Sequence, residues 1–336
     1  SPTIAFVGVL APTDERRDNA AFSQAGAHFQ ESLIEALVGA GIRVDRVFAQ
    51  RPTPSFPKVK RLLFGTRDGV IGTRHVTFLP FVNFGAVKAL TGPLALMALL
   101  ATWGRRNRRV SNKAVLLYNL TSPPGLASLL AARAVGAKVI GVVADIQVPG
   151  SGSVVNSIVR RIEYRLQTFT MARCDGLVVL TNRMVTDFAP DVPSVLVEGA
   201  VPPQMTSLYA AADEQCGLAR TTDETDPIIL MFAGELSELK GIPALLDAFA
   251  RISNPHVKLW ITGRGPEQPR VEAAAAADDR IRYWGYPPYQ ELLALYADAT
   301  LLVNPHSMRH LSARYLFPSK LIEYLATGIP VLTTPS

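Results

Sequence analysis

The chain has 336 residues, 48% of them hydrophobic and 18% charged, enough for two domains with separate cores and inconsistent with a disordered or low-complexity chain. Its formal net charge of +6 is unevenly shared: residues 1–180 carry 22 Lys+Arg against 10 Asp+Glu, while residues 181–336 carry 12 against 18. Two cysteines, Cys174 and Cys216, and five scattered histidines (His28, His75, His256, His306, His310) exclude a disulfide framework and offer no metal-ligand spacing, so no protein-bound metal is expected.

Ile4 to Leu10 is too short for a secretory signal and lacks a basic flank; it reads as a first strand, and a cytoplasmic chain is expected. Strand-like runs then alternate with helix-like runs, the pattern of a parallel α/β sheet. Strands are predicted at Thr3 to Gly8, Arg43 to Phe48, His75 to Leu79, Ala114 to Tyr118, Lys138 to Val143 and Gly176 to Leu180, with helices at Phe22 to Val38, Pro124 to Ala134 and Val154 to Met171. Residues 86–103 are apolar but broken by Lys88, Gly92 and Pro93, so no uninterrupted run reaches the roughly 18 residues of a membrane-spanning helix. The apolar stretch 94–103 ends in Arg105, Arg106, Arg108 and Arg109, which reads as a buried helix with a solvated basic end or as a segment lying on an anionic membrane surface. No nucleic-acid module with interleaved aromatics accompanies the charge.

Residues 202–226 are polar and acidic without an apolar period, and predict a linker between a first domain, 1–201, and a second, 227–336. The alternation restarts with a strand at Ile228 to Ala233, a helix at Ile242 to Ile252 and strands at Val257 to Ile261 and Ala299 to Val303, with a helix at Gln290 to Tyr296 between the last two. The final strand, Ile329 to Thr333, comes early for a complete domain, so the second domain is expected to be truncated and to continue in a further helix.

The segment Phe317 to Val331 is the most informative. Pro318 favours a helix start, Ser319 can cap it, and free N–H groups with Lys320 offer positive potential to a phosphate. Glu323 lies one turn further along the same face, where a carboxylate can accept two hydrogen bonds from a vicinal diol such as a ribose. An ordinary capped helix with a solvated Glu323 is the alternative. Upstream, Gly234 to Gly241 forms a glycine turn between a strand and a helix, with Lys240 placed to neutralise a diphosphate. Gly263-Arg264-Gly265-Pro266 is a second glycine turn at a strand's carboxyl end, where open α/β sheets bind ligands or where glycine simply serves the turn.

The order of these motifs, joined by Trp284-Gly285-Tyr286, Leu301 to Pro305 and Phe317 to Val331, resembles the donor domain of retaining glycosyltransferase family 4, of the GT-B fold. The resemblance is specific over residues 226–334 and covers mainly element layout over 1–200. It implies an α/β protein of two doubly wound Rossmann-like domains facing a central cleft. It further implies a metal-independent enzyme, without cofactor, that moves a sugar from a nucleotide diphosphate sugar with retention of configuration. By the same resemblance Lys240 stabilises the leaving diphosphate, Glu323 binds the ribose, and Ser319, Lys320 and Leu321 meet the phosphates. Gly234, Glu235, Gly263, Arg264, Gly265 and Tyr286 complete the donor side, Tyr286 near the base. Two departures stand out: Glu235 where an arginine is usual and Tyr315 where a first glutamate is usual, with Arg264 or Arg314 as candidate replacements for the lost positive charge.

On the acceptor side, the resemblance points to the loop after the first strand, making Asn19 and Gln24 candidates; a solvated polar loop is the alternative. Asn119 and Asp145 end strands where acceptor groups belong, Asp145 being the candidate nearest the reaction centre or a structural strand-end aspartate. The implied partners are a nucleotide-sugar donor, a lipid-linked or glycan acceptor and an anionic membrane surface, in polysaccharide or glycolipid assembly. A nucleotide-sugar binding protein without catalysis is the alternative.

Overall fold

The computed structural model of the chain describes residues 2–15, 23–71, 74–121, 123–146, 154–199, 226–307, 315 and 319–334. Two units separate: Ser1–Ala200 with Tyr315–Phe317, and Val201–Arg314 with Pro318–Ser336.

The first unit contains strands β1 (Thr3–Val9), β2 (Arg43–Gln50), β3 (Leu63–Phe64), β4 (Arg67–Ile71), β5 (Arg74–Phe78), β6 (Phe81–Val82), β7 (Lys113–Tyr118), β8 (Lys138–Val143), β9 (Gly176–Val179) and β10 (Ser194–Leu196). Its helices are α1 (Gln24–Gly39), α2 (Gly85–Arg106), α3 (Pro124–Ala134), α4 (Val154–Met171) and α5 (Asn182–Phe188). Eight strands form one sheet in the order β10-β9-β8-β7-β1-β2-β5-β4, parallel except for the β4/β5 edge pair, and β3 pairs antiparallel with β6. Central β1 is apolar almost throughout because both its faces are covered. Ile4 and Phe6 pack with Ala27 and Ile34 of α1, whereas Ala5 and Val7 pack with Leu96, Leu100 and Trp103 of α2, Leu129 of α3 and Met171.

Two departures from the sequence reading have separate physical causes. β4 pairs antiparallel with β5 and β3 with β6, edge pairings of short segments that leave only a weak local signal. The helix α2 runs straight through Pro93. An internal proline costs about 3 kcal/mol, and burying Leu96, Leu100 and Trp103 beyond it returns about 1.5–3 kcal/mol each. By length and composition α2 could cross a membrane, yet its second half is core. Its first half is not: Leu90 and Leu94, four apart, are each 62% exposed.

The second unit contains β11 (Ile228–Ala233), α6 (Ile242–Phe249), β12 (Val257–Thr262), α7 (Gln268–Ala277), β13 (Ile281–Tyr283), α8 (Tyr289–Asp298), β14 (Leu301–Asn304), α9 (Ser319–Ala326) and β15 (Val331–Thr333). All five strands are parallel, in the order β13-β12-β11-β14-β15. Alternate residues of β11 feed opposite cores: Phe232 joins Ile242, Phe249 and Leu259, while Met231 and Ala233 join Tyr296, Leu302 and Tyr324. The chain leaves β11 towards β12 on one side and returns to β14 on the other. That reversal makes the carboxyl edge between β11 and β14 the topological switch point, where open α/β sheets bind ligands.

Candidate functional site

The carboxyl ends of β11 and β12 turn within contact of each other. Gly234 N donates to Thr262 O at 3.1 Å, Gly263 N to Gly285 O at 2.7 Å, and Leu236 N to Arg264 O at 3.0 Å. Gly263 has φ +133°, and a Cβ there would lie 1.7 Å from Gly234 O. Only glycine lets the two turns close in this way. Beyond them, Arg264 stacks its guanidinium on the exposed Tyr286 ring at 4.4 Å. This arrangement presents a flat face at the loop that the resemblance expects near a nucleotide base.

Gly234 continues into a turn that delivers Lys240 to the mouth of α6. Gly241 N donates to Glu238 O at 2.9 Å, and Ser307 N, just beyond β14, donates to Leu239 O at 2.9 Å. Gly241 is left-handed, with φ +76°, and a Cβ on it would lie 1.5 Å from Pro305 O. The Pro305–Ser307 loop therefore lies directly against Leu239–Gly241 and brings His306 beside Lys240. Burial lowers the Lys240 ammonium below the usual lysine range, opposed by Glu235. Burial, then Lys240, lowers His306; this imidazole is 7% exposed, with Nε2 lacking a hydrogen-bond partner among the described residues. His306 was unremarkable in the sequence, where a lone histidine after Asn304-Pro305 carries no motif.

Across the switch point, α9 is fastened to β11 by Tyr324: Ala233 N donates to its hydroxyl at 2.8 Å, and that hydroxyl donates to Ala233 O at 3.1 Å. The helix begins at Ser319 and ends before Gly328, which has φ +70°. This positioning sets the Lys320 Cγ 4.0 Å from the place a Gly234 Cβ would occupy. Lys320 Nζ donates to Glu323 Oε2 at 2.5 Å. Glu323 is 7% exposed, so the alternative of a solvated helix glutamate is wrong. It sits among aromatic hydroxyls, and Tyr289 is pushed up to about 12 by burial and then by the Glu323 charge. The second unit thus gathers Gly234, Glu235, Lys240, Gly263, Arg264, Gly265, Tyr286, Lys320, Leu321 and Glu323 on turns and a helix at one sheet edge. The Ser319 side chain and Arg314 lie outside the described residues.

The first unit has its own switch point, between β1 and β7. Asn119, at the end of β7, has φ +71° and is followed by Leu120 at +47°, two strained residues costing about 1–3 kcal/mol each. The Asn119 side chain holds the turn. Its Oδ1 accepts from Ala144 N and Asp145 N, both at 3.1 Å, and its Nδ2 donates to Asp145 Oδ1 at 2.7 Å. Gln167 Nε2 bonds Asn119 O and Asp145 O, both at 3.0 Å. Asn119, an acceptor-side candidate in the sequence, spends its Oδ1 and one Nδ2 hydrogen on the neighbouring strand end and positions Asp145. Near Asp145, Glu163 is raised by burial and then by the Asp145 charge. Tyr315, where a glutamate is usual, donates its hydroxyl to Asp187 Oδ2 at 2.9 Å and packs on Phe188 at 5.0 Å. Asn19 and the Gln24 side chain lie outside the described residues.

Two parallel, doubly wound units with turns and a helix mouth gathered at a switch point define an α/β protein of the GT-B fold. Residues 227–336 match the family described as Glycosyl transferases group 1. Three solved structures share the fold over nearly the whole chain. The lipopolysaccharide outer core galactosyltransferase WaaB in its apo form is 13% identical, with a TM-score of 0.59 over 98% of this chain and 80% of that one. Sucrose-phosphate synthase from Thermosynechococcus elongatus is 15% identical, with a TM-score of 0.60 over 99% and 81%. HepE from Anabaena, solved in complex with UDP and glucose, is 16% identical, with a TM-score of 0.59 over 99% and 80%. No curated protein matches the chain by sequence. Residues 227–336 are thus similar to group 1 glycosyltransferases, and the three solved structures share the fold of the whole chain.

Proposed function

We propose that the protein is a retaining glycosyltransferase of the family 4 kind. It moves a sugar from a nucleotide diphosphate sugar to an acceptor hydroxyl, in polysaccharide or glycolipid assembly at a membrane surface. The observation that carries this is the placement, at one sheet edge, of a half-buried Lys240 at a helix mouth with the Lys320–Glu323 pair on α9, inside the residues that match the family. The bond between the sugar's anomeric carbon and the diphosphate oxygen breaks, and a bond from that carbon to the acceptor oxygen forms. The departing phosphate oxygen takes the acceptor's proton. Negative charge grows on the diphosphate as it leaves, and Lys240, Lys320 and the first N–H groups of α9 stabilise it without reorganising. These cations and amides do the work a metal would do, so the reaction proceeds without metal or cofactor.

In the ligand-free protein Lys320 covers Glu323. Donor binding transfers the ammonium from the carboxylate to a phosphate and frees Glu323 for the ribose hydroxyls, while Arg264 and Tyr286 meet the base. Asp145, held by Asn119, serves the acceptor side with Asn19 and Gln24. The basic first unit and the exposed Leu90 and Leu94 on α2 suit a lipid-linked acceptor and a cytoplasmic protein peripheral to an anionic membrane. Incubation with a panel of nucleotide sugars and membrane lipid extract is expected to release nucleoside diphosphate, and Lys240→Ala to reduce that release by at least about 100-fold. Absence of turnover with every donor, or undiminished turnover in the variant, overturns the reading. A binding protein without catalysis is favoured by one observation, the engagement of Tyr315 with Asp187; it predicts calorimetric binding of UDP with no sugar transfer to any acceptor.

A further inference from the structure

Helices α3 and α4 of the first unit leave between them an open groove of about 500 Å³, whose wall includes Leu129, Leu130 and Phe169 and whose rim carries Arg133, Arg165 and Arg173. Leu130 is 53% and Phe169 42% exposed, a large apolar surface to leave in water. Along α4, Ile158, Ile162, Arg165 and Phe169 recur at three- and four-residue spacing and share one face, and Arg173 follows in the turn just beyond the helix. Ile158 and Ile162 are exposed too, so the groove opens onto an apolar row edged with cations. Arg133 donates to Arg173 O at 2.6 Å, and Arg173 stacks over Phe169 at 3.5 Å while donating to Phe169 O at 3.4 Å. These contacts orient the Arg133 and Arg173 guanidinium groups and leave most of the five N–H donors of each uncommitted. Among the described residues no carboxylate pairs with any of the three arginines.

A preorganised arginine cluster on an apolar wall is complementary to one ligand chemistry: a phosphate attached to a hydrocarbon chain. We propose that this groove binds a single anionic phospholipid of the membrane, its acyl chain against Leu129, Leu130 and Phe169 and its phosphate against Arg133, Arg165 and Arg173. The bound lipid would anchor the first unit, with Ile158 and Ile162 resting in the same interface. The proposal deepens the membrane-surface part of the proposed function and rests on it, while the donor-site reading concerns the other unit and stands or falls separately.

The test is titration calorimetry of the full chain with dihexanoylphosphatidylglycerol below its aggregation threshold, alongside dihexanoylphosphatidylcholine and inorganic phosphate. Saturable binding of the phosphatidylglycerol is expected, with weaker binding of the zwitterionic lipid and none of phosphate. Each arginine near an anionic lipid contributes about fivefold, so Arg165→Glu with Arg173→Glu is expected to weaken binding by about 25-fold or more. Leu130→Gln, which keeps the charges, is expected to weaken it as well. All three positions are exposed, and an unchanged thermal melt confirms folding. Equal binding of both lipids, equal binding of inorganic phosphate, or unaltered affinity in the double variant overturns the proposal. A dimer in sedimentation equilibrium that Leu130→Gln dissociates also overturns it, because a second copy would then occupy the groove.

Discussion

Replacing Glu323 with glutamine tests the donor site at its most heavily engaged residue. The substitution is isosteric, so α9 and the Tyr324 clasp to Ala233 keep their packing, and only the charge is lost. Two effects follow from the geometry. The Lys320–Glu323 contact at 2.5 Å is shielded from water, the glutamate side chain being 9% and the lysine 29% exposed. A charge-assisted hydrogen bond of this kind contributes about 1.5–3 kcal/mol, and a neutral amide acceptor retains roughly half, so unfolding stability should fall by about 1–2 kcal/mol. Nucleotide affinity should fall separately. Weakening two hydrogen bonds from a ribose by about 1 kcal/mol each is close to a 30-fold loss. Urea unfolding measures the first effect, and calorimetry with UDP and 2′,3′-dideoxy-UDP the second. Wild-type protein should prefer the ribonucleotide, and Glu323→Gln should lose affinity for UDP while barely changing for the dideoxy form. Equal losses for both ligands would refute the assignment of the carboxylate to the ribose, because the residue would then act only through the helix it stabilises.

Gly263→Ala places a methyl 1.7 Å from Gly234 O in a turn at φ +133°; the strain alone is worth about 1–3 kcal/mol. A fall in melting temperature together with lost UDP binding is expected, and wild-type behaviour in both would contradict the close approach. Asn119→Ala leaves two backbone N–H groups without their acceptor and frees Asp145, so a loss of about 2–4 kcal/mol in urea unfolding is expected. A loss under about 0.5 kcal/mol would show that the turn does not depend on the amide. Burial, then Asp175, raises the Cys174 thiol from its usual 9.0 to about 12. The folded state therefore holds this proton more tightly, and its stabilisation, complete below pH 9, is lost as pH rises towards 12, by at most about 1.4 kcal/mol per pH unit. At pH 8, disulfide-exchange labelling followed by peptide mapping should leave Cys174 unmodified until denaturant is added; native labelling at the unfolded rate would show that it is accessible.

Local order in the sequence determined a large part of this protein. Alternating apolar runs with glycine stops specify parallel strands and helices because the periods of 2 and 3.6 residues are local properties of the backbone. For the same reason Ile228 to Ala233, Val257 to Ile261 and the helix from Ser319 were legible, along with the glycine turns between them. Strand order was not local. Nothing near Ile228 states that β11 lies between β12 and β14, yet that arrangement makes the switch point and sets Lys240, Gly263 and Lys320 on one edge. His306 stands 66 residues from Lys240 in the chain and reaches it only because Pro305 packs on Gly241. Asn119 had the residue type of a ligand, and hydrogen bonds from the neighbouring strand end made it a clamp. The passage of α2 through Pro93 was likewise decided by burial of side chains three to ten residues further on. Residue type and spacing therefore set which groups were available, while packing between distant segments decided which of them are buried, paired and brought together.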